Sequence, residues 1–533
     1  MILGKTKNSI NIRNISSSKL LTKSPPGALY YNNNNSSINN MTRLNQLKYN
    51  NYSSFIPADK LSQKDLNQKA IETEYAVRGL IPIKAEELRE KLKNHPDSLP
   101  FKEIINANIG NPQQLKQKPL TFYRSILSIL QNPKLLESDE FSKDVKTRSK
   151  ILLNKIGSLG AYSHSQGVPY IREQVAHFIT KRDNGVPAHP ENIYLTGGAS
   201  DAVKSVFEVL LDGTKESGVL IPIPQYPLYT AQITLKNATP ISYYLNESDN
   251  WSTNPEEIEN LVLDSKKFGI KPKILVVINP GNPTGAILSK SHIEDILTIA
   301  AKYGIVVIAD EVYQENIFEG KFHSFKEVLA DLQNKHGDLY DNVQLVSLHS
   351  TSKGVTGECG QRGGYMECIG FKPEVHEIFL KLASISLCSV VSGQALVELM
   401  VNPPKKGDES YELDQKERLS LHESYKFKAN SLYDKFSSLE NIEVLKPQGA
   451  MYLFPQIFLT PGMINRAKEL NLKPDEYYCL ELLQHTGICV VPGSGFGQVE
   501  GTFHVRTTFL PPGDEWIDQW AQFHKDFFKK YHN

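Results

Sequence analysis

A strand–helix–strand pattern in the middle of the sequence constrains the fold more than any other feature. It begins with the apolar run ILVVI (274–278) and ends with a second one, IVVIA (305–309). Between them, HIEDILTIAAKYG places apolar side chains on one helical face, with Ser289 or Ser291 able to cap its start and Gly304 its end. Strands that are apolar throughout are buried on both faces. The pattern therefore predicts an α/β fold with a parallel sheet between helices.

Two more apolar runs extend this sheet, GVLIPI (218–223) and VQLVSLH (343–349). After about residue 405 the chain instead mixes helical stretches with short alternating strands such as MYLF (451–454) and FHVRTT (503–508), which is typical of a smaller α+β domain. Ligands of open parallel sheets bind at the carboxyl ends of the strands, so the polar residues that follow each apolar run are the candidates for a site.

The N-terminal segment differs from the rest of the chain in composition. Seven basic residues and no acidic one precede Asp59, and the segment is rich in Ser and Asn. Because it holds few bulky apolar side chains, folding would not offset its ordering entropy, and we expect residues 1–58 to be disordered. A basic, acid-free N-terminus is typical of a mitochondrial targeting segment, and the alternative is a plain low-complexity extension. Translation from Met41 would give a shorter cytosolic form, which we keep as a hypothesis.

Charge and cysteine content bear on the partners of the chain. Lys+Arg and Asp+Glu both number 59, so no net charge favours nucleic acid as the main partner. No apolar run approaches the roughly 18 residues that a membrane-spanning helix requires, and no membrane partner is expected. The five cysteines are an odd number without a Cys-x-x-Cys pair, which favours free thiols over disulfides or a zinc site, and we expect no metal.

Polar residues follow three of the predicted strands. Lys353 follows one in HSTSKG, Asp310 ends another in IVVIAD, and Asn282 follows a third in NPGNPTG. Each has an ordinary interpretation when taken alone: a solvated lysine, an aspartate that caps or turns the chain, and a Pro/Gly turn. Because the three strands share one sheet edge, we expect these side chains to meet.

Together they supply what a pyridoxal 5'-phosphate enzyme needs. Lys353 is the amine for a Schiff base with the cofactor aldehyde, and Asp310 is the carboxylate that keeps the pyridine nitrogen protonated. Asn282 and Tyr313, one helical turn beyond Asp310, are candidate donors to the phenolic oxygen. Tyr226 in PIPQYPLY can stack on the ring, the alternative being a tyrosine of the core.

The cofactor phosphate needs a cradle, and LTGGASDAVKSVFEVLL predicts one: a strand end, a turn of small residues and then a helix. Gly198, Ala199 and Ser200 place backbone amides and a hydroxyl at the helix N-terminus, where the helix dipole favours an anion. Ser350 and Arg362 are candidates for a further hydroxyl and a guanidinium fork.

In this order and spacing, NPGNPTG, ADEVYQ and SLHSTSKGVTGECGQRGGY resemble the class I and II aminotransferases of fold type I, and among them the alanine aminotransferases. The resemblance extends from about residue 75 to residue 530. It implies a large cofactor-binding domain (131–405) with a mostly parallel seven-stranded sheet. It also implies a smaller α+β domain made of an N-terminal arm and adjoining residues (59–130) and the C-terminal part (406–533).

The resemblance implies roles for residues outside these motifs. Arg506 in FHVRTT would bind the substrate α-carboxylate, a bidentate task that suits arginine better than lysine. Gly110 in NIGNPQ would approach the same carboxylate through its backbone. Tyr162 in GAYSHSQG would reach the phosphate of the neighbouring subunit's cofactor, which implies a homodimer, and the loop VVPGSGFG (490–497) would lie near the site.

The activity that the resemblance implies is ping-pong transamination, in which L-alanine and 2-oxoglutarate give pyruvate and L-glutamate. Three alternatives stay open: glutamate–glyoxylate or broader 2-oxo acid transamination, a lyase that uses the same cofactor and fold, and a non-catalytic relative that serves as a regulator or binding module. The sequence does not reveal a second arginine for the distal carboxylate of glutamate.

Overall fold

The structure is a computed structural model that describes residues 60–75 and 79–531. The segment 1–58, predicted to be disordered, and the alternative start Met41 lie outside the described residues. Contacts divide the chain into two units, residues 1–65 and 66–533. In the first unit, the described residues 60–65 contain a short 3-10 helix, Gln63–Asp65.

The described part of the second unit alternates helices and strands. Its α-helices are α1 (Gln68–Glu72), α2 (Leu80–Asn94), α3 (Thr121–Gln131), α4 (Lys143–Ile156), α5 (Pro169–Arg182), α6 (Ala199–Leu210), α7 (Leu228–Leu235), α8 (Pro255–Lys267), α9 (Lys290–Tyr303), α10 (Phe325–His336), α11 (Pro373–Ile385), α12 (Val391–Val401), α13 (Tyr411–Ser437), α14 (Pro461–Glu469), α15 (Pro474–Thr486) and α16 (Glu515–Lys530). Its strands are β1 (Ile105–Asn106), β2 (Ile193–Thr196), β3 (Ser217–Ile223), β4 (Thr239–Tyr244), β5 (Lys271–Ile278), β6 (Val306–Asp310), β7 (Leu345–Ser350), β8 (Gly364–Ile369), β9 (Ile442–Glu443), β10 (Tyr452–Leu453), β11 (Gln456–Ile457), β12 (Ile488–Cys489), β13 (Val491–Pro492) and β14 (Val505–Thr508).

A seven-stranded sheet with the order β2-β8-β7-β6-β5-β3-β4 forms the centre. The five strands β3 to β7 all run parallel to one another. Strand β8 is antiparallel to both of its neighbours, β2 and β7. The mostly parallel seven-stranded sheet predicted from the resemblance is therefore confirmed. Strand β8 was not predicted, because its sequence GYMECI mixes polar and apolar residues and is not a continuous apolar run.

The central strand–helix–strand unit has the predicted capping. Ser289 Oγ accepts a hydrogen bond from the backbone N–H of His292, and Gly304 ends α9 in the left-handed region with a φ of 68°. Between these caps, α9 buries Ile293, Ile296 and Leu297 against the sheet. Burying each such side chain contributes about 1.5–3 kcal/mol of transfer free energy. This packing stabilises α9, because an isolated helix of 14 residues is only marginally stable in water.

A second region packs against the carboxyl ends of the central strands. Its short strands β10, β14 and β13 form an antiparallel sheet in which Val491 lies opposite Arg506. One core cluster combines side chains from both ends of the second unit, including Ile81 and Leu88 of α2 with Phe436 and Trp520. This packing agrees with a small domain assembled from two parts of the chain, whose boundaries stay a prediction.

The structure also bears on membrane-spanning helices and on the cysteines. Within residues 60–75 and 79–531, no helix is both long and apolar enough to cross a bilayer. All five cysteines are free thiols, and three of them (Cys368, Cys479 and Cys489) are buried.

Candidate active site

The carboxyl ends of the central strands open into a cavity of about 220 Å³. Eleven of the predicted site residues line it: Gly110, Ala199, Ser200, Tyr226, Asn282, Asp310, Tyr313, Ser350, Lys353, Arg362 and Arg506. Two predicted residues do not. Gly198 lies directly before the helix that carries Ala199, beside Arg362, and Tyr162 lies outside the cavity with 77% of its surface exposed.

Lys353 lies in the turn that follows β7, and its amine points into the cavity. The ammonium Nζ donates a hydrogen bond of 2.7 Å to the carbonyl oxygen of Gly110 and lies 5.8 Å from the centre of the Tyr313 ring. In the described part of the chain, no salt bridge involves Lys353. Among these residues, its amine is held only by the neutral Gly110 carbonyl, so it can leave this hydrogen bond to react with a bound group.

Asp310 ends β6 on the floor of the cavity and is 6% exposed. The Tyr229 hydroxyl donates a hydrogen bond of 2.8 Å to its Oδ2, while the buried Oδ1 has no hydrogen-bond partner among the described residues. Burial raises the pKa of Asp310 to about 6, and the Tyr229 hydrogen bond, the nearby backbone N–H of Val312 and the Lys353 charge only partly oppose that rise. A buried carboxylate oxygen without a donor is suited to a cationic N–H, such as a protonated pyridine nitrogen.

Arg506 is a buried cation without a carboxylate partner. Its guanidinium lies between the rings of Tyr452 and Phe496, 4.4 and 4.5 Å from their centres, and donates to Asn282 Oδ1 at 3.2 Å. It also donates to the carbonyl oxygen of Asn108. Among the described residues, its Nε has no hydrogen-bond partner and no acidic side chain forms a salt bridge with it. Because a buried unpaired cation is costly, this arrangement favours the binding of an anion from outside the chain.

Two tyrosines of the cavity form a hydrogen-bonded pair. Tyr313 donates to the hydroxyl oxygen of Tyr452 at 3.3 Å, and burial raises the pKa of Tyr313 well above its usual value, so its hydroxyl keeps its proton at neutral pH. Tyr313 lies in a turn that follows β6 directly, in which the backbone N–H of Gln314 donates to the carbonyl oxygen of Glu311. The segment after Asp310 is therefore a turn and does not continue as an α-helix.

At the opposite end of the cavity, the start of helix α6 and the Arg362 side chain form a cradle around Gly198. Helix α6 begins after Gly198, whose φ of 102° requires glycine. A Cβ on Gly198 would lie 2.7 Å from Nη2 of Arg362, so the missing side chain is what allows the guanidinium to reach the helix start. Backbone N–H groups, a cation and the Ser200 hydroxyl then face the same space, as a phosphate requires.

Nine of the lining residues were not predicted from the sequence: Tyr75, Ile109, Asn111, Leu228, Ile278, Val312, Ser352, Cys359 and Tyr452. Cys359 stood inside the motif GECGQRGGY and Tyr452 inside the predicted strand MYLF, but neither pattern indicated a cavity. Tyr75, whose hydroxyl lies 2.9 Å from that of Tyr226, precedes the second region and gave no signal at all. Tyr229, the partner of Asp310, was also missed, although it lies only three residues beyond Tyr226.

Comparisons with known proteins agree with this geometry. The aminotransferase class I and II family matches residues 126–515. A mitochondrial alanine aminotransferase of Saccharomyces cerevisiae is 58% identical over 93% of this chain and 86% of that protein. An inactive alanine aminotransferase of the same yeast is also 58% identical, over 90% of this chain and 96% of that protein. Among solved structures, an alanine aminotransferase from Pyrococcus furiosus matches with a TM-score of 0.68 and 27% identity, over 87% of this chain and 100% of that one.

Proposed function

Since the chain belongs to the class I and II aminotransferases, we propose that it transfers the amino group of L-alanine to 2-oxoglutarate with pyridoxal 5'-phosphate as cofactor. The reaction is reversible and gives pyruvate and L-glutamate. One observation carries the proposal: an amine (Lys353), a carboxylate oxygen without a partner (Asp310) and a buried cation without a counterion (Arg506) line the same cavity.

The residues present fit this cofactor. Asp310 Oδ1 would accept from the ring nitrogen, Asn282 and Tyr313 would donate to the phenolic oxygen, and Tyr226 would lie against the ring. The phosphate would take the cradle formed by Gly198, Ala199, Ser200, Ser350 and Arg362. When bound, pyridoxal phosphate supplies an aldehyde that condenses with amines and a ring that accepts the electrons left when Cα loses its proton.

The chain itself binds, orients and moves protons. Arg506 would hold the α-carboxylate of the amino acid with its guanidinium fork, close to the Gly110 backbone. Lys353 Nζ, as the free uncharged amine, would take the proton from Cα and become an ammonium group. The hydrogen bond to the Gly110 carbonyl shows that this side chain reaches the cavity. Proton transfer by a positioned side chain typically accelerates a reaction by about 10²–10⁴-fold.

Identity to the active and the inactive yeast relatives is equal at 58%, so overall similarity does not separate a catalyst from a non-catalytic relative. The cavity supports a cofactor-dependent enzyme, because an amine, a carboxylate oxygen and a guanidinium without a charged partner among the described residues lie together in it.

We also propose a mitochondrial location and a homodimer. The basic, acid-free segment 1–58 supports the mitochondrial location. Translation from Met41 would give a second, cytosolic form of the protein. The exposure of Tyr162, at 77%, supports the dimer, because a tyrosine meant for a partner's cofactor must lie outside its own cavity.

The deciding experiment is a matrix of amino donors and oxo acids with the purified protein and added cofactor. The proposal expects the highest turnover for L-alanine with 2-oxoglutarate and for L-glutamate with pyruvate. A preference for glyoxylate as acceptor would replace it with the glutamate–glyoxylate assignment. Products without an oxo acid would indicate a lyase, and no turnover with any pair would indicate a non-catalytic relative.

A further inference from the structure

Tyr229 contacts Asp310 from the core of the protein. Its hydroxyl donates a hydrogen bond of 2.8 Å to Oδ2 of Asp310, and its side chain is fully buried. Burial and the Asp310 charge raise the pKa of Tyr229 well above its usual value, so the hydroxyl keeps its proton and acts as the donor. Tyr229 is not one of the residues that line the cavity, so it acts on a bound group through Asp310.

The start of α7 determines where the Tyr229 hydroxyl lies. The backbone N–H of Tyr229 donates to the carbonyl oxygen of Tyr226 at 3.2 Å, so one turn carries both the tyrosine that lines the cavity and the tyrosine that holds Asp310. The Tyr229 ring packs against Phe207 of α6, with ring centres 6.4 Å apart, and belongs to the same core cluster as Ile308 of β6. Core packing therefore sets the position of the donor.

The Asp310 side chain needs such a contact because its last torsion is soft. Rotation of a carboxylate about the Cβ–Cγ bond has a broad distribution, so the backbone of β6 does not by itself decide which oxygen is left for a bound group. A donor on Oδ2 removes this freedom, and Oδ1 is the oxygen without a good hydrogen-bond partner among the described residues. The other described groups that act on the carboxyl are the backbone N–H of Val312 and the charge of Lys353.

A phenol suits this position better than a cation would. Three other buried acids form ion pairs with basic side chains: Glu367 with Lys326, Glu398 with Arg148, and Asp414 with Arg418. A cation in place of Tyr229 would neutralise Asp310 in the same way and weaken its attraction for a protonated ring nitrogen. A neutral hydroxyl orients the carboxylate and favours its charged form, while the negative charge stays available.

We propose that Tyr229 is a positioning residue of the active site, whose hydroxyl fixes the Asp310 carboxylate through Oδ2 so that Oδ1 stays free for the ring nitrogen of the cofactor. The inference rests on the proposed function, because that nitrogen belongs to pyridoxal 5'-phosphate.

Cofactor binding tests the inference in four full-length proteins: the wild type, Tyr229→Phe, Asp310→Asn and the double variant. Each cofactor-free protein is titrated with pyridoxal 5'-phosphate and followed by absorbance. Tyr229→Phe removes only the hydroxyl, and we expect binding to weaken by about 10-fold or more, because a hydrogen bond to a charged group is lost. In the Asp310→Asn background the same change should alter binding by less than about threefold, because a residue that acts through the Asp310 charge then has little to act on.

Tyr243→Phe is the matched control. Tyr243 of β4 is also a buried tyrosine, and its hydroxyl donates to the carbonyl oxygen of Val276 at 2.7 Å. Losing this hydrogen bond should lower stability towards urea, while cofactor binding stays within about threefold of the wild type. A purely structural role of Tyr229 would make the two variants alike.

The ionisation of Asp310 in the cofactor-free protein gives a readout that does not depend on activity. The difference between wild type and Asp310→Asn identifies the infrared band of the protonated Asp310 carboxyl, and titration of this band gives the pKa. Tyr229→Phe should raise this pKa, because a donor to the charged form is lost, and Tyr243→Phe should leave it unchanged.

Three results would overturn the inference: an unchanged Asp310 titration in Tyr229→Phe, equal binding by the two tyrosine variants, or an equal loss of binding in the Asp310→Asn background. A wild-type protein that does not bind pyridoxal 5'-phosphate refutes the proposed function instead, so the two failures are distinguishable.

Discussion

Two acidic residues stand next to each other at the end of β6, and the sheet separates their environments. Asp310 faces the cavity, and Glu311 is fully buried on the other side. Glu311 accepts hydrogen bonds from the Ser347 hydroxyl at 2.6 Å and from the Phe325 backbone N–H at 2.9 Å, with Arg182 Nη1 at 3.8 Å. Asp310 accepts one side-chain hydrogen bond, from Tyr229, and its Oδ1 has no geometrically good hydrogen-bond partner among the described residues.

The comparison shows which observation distinguishes a functional acid from a structural one. Burial raises the pKa of both residues, to about 6 for Asp310 and to about 7 for Glu311, so the direction of the shift does not separate them. The place of the acid and its charged partners do. Glu311 has a hydrogen-bond donor on each oxygen, and buried acids such as Glu398 and Asp414, which also have one oxygen without a hydrogen-bond partner among the described residues, are paired with Arg148 and Arg418. Asp310 has no such cationic partner among the described residues and lines the cavity, where a bound group can reach it.

The arginines show the same difference. Arg182 makes two hydrogen bonds of 2.7 Å to the carboxylate oxygens of Asp183, a closed pair inside the protein. Arg506 contacts carbonyl and amide oxygens and two aromatic rings, and its charge is left for a ligand. The open members of both pairs, Asp310 and Arg506, line the cavity that contains Lys353.

The largest effect is expected for Lys353→Ala. Because this change removes both the proton-transferring amine and the attachment point of the cofactor, turnover of L-alanine with 2-oxoglutarate should fall by more than about 10⁴-fold. Lys381→Ala, at an exposed lysine of α11, is the control with wild-type turnover. Residual activity of the Lys353 variant within about tenfold of wild type would refute its assignment.

Asp310→Asn tests the acid that has an oxygen without a hydrogen-bond partner among the described residues. Asparagine can still accept from Tyr229 but lacks the charge that holds the ring nitrogen protonated, so we expect weaker cofactor retention and a turnover lower by about 10²-fold. Dialysis followed by cofactor absorbance measures retention, and the alanine assay measures turnover. Unchanged turnover would remove Asp310 as the ring partner.

The same variant has an opposite expected effect on the cofactor-free protein. The pKa of Asp310 rises from 3.8 to about 6 on folding, and one pKa unit corresponds to about 1.4 kcal/mol, so ionisation costs about 3 kcal/mol. Well below pH 3.8 the carboxyl is protonated in both states and the cost is absent. It grows as the pH rises from about 4 to 6 and is constant above. Urea unfolding should therefore show Asp310→Asn gaining stability over the wild type across this window, and a constant difference would contradict the assignment of the pKa.

Glu311→Gln tests the acid whose two oxygens both accept hydrogen bonds from the chain, and we expect it to have the smallest effect on activity. Glutamine can replace only one of the two acceptor oxygens, so one donor, from Ser347 or Phe325, is left without its partner. We expect a loss of about 1–3 kcal/mol in the free energy of unfolding. Turnover per cofactor-loaded site should stay within about threefold of wild type. A loss of turnover as large as that of Asp310→Asn would mean that the place of the acid and its charged partners do not separate the two.

Much of the fold and of the candidate site could be predicted from the sequence. Continuous apolar runs predicted β3, β5, β6 and β7, and the polar residues after them predicted Lys353, Asp310 and Asn282, because both signals are local. Tyr229, Tyr452 and Tyr75 could not be predicted, since their roles depend on contacts between segments that are distant in sequence. Tyr162 stays a prediction, because its proposed target belongs to another subunit.

The central claim is that Lys353 is the amine that bonds to the cofactor, and chemical trapping tests it most directly. The loaded native protein is reduced with borohydride, digested, and mapped by mass spectrometry, with Lys353→Ala as the unlabelled control. The account predicts a single pyridoxyl label on the peptide that contains Lys353. A label on a different lysine, or a wild-type protein that takes no label, would contradict it.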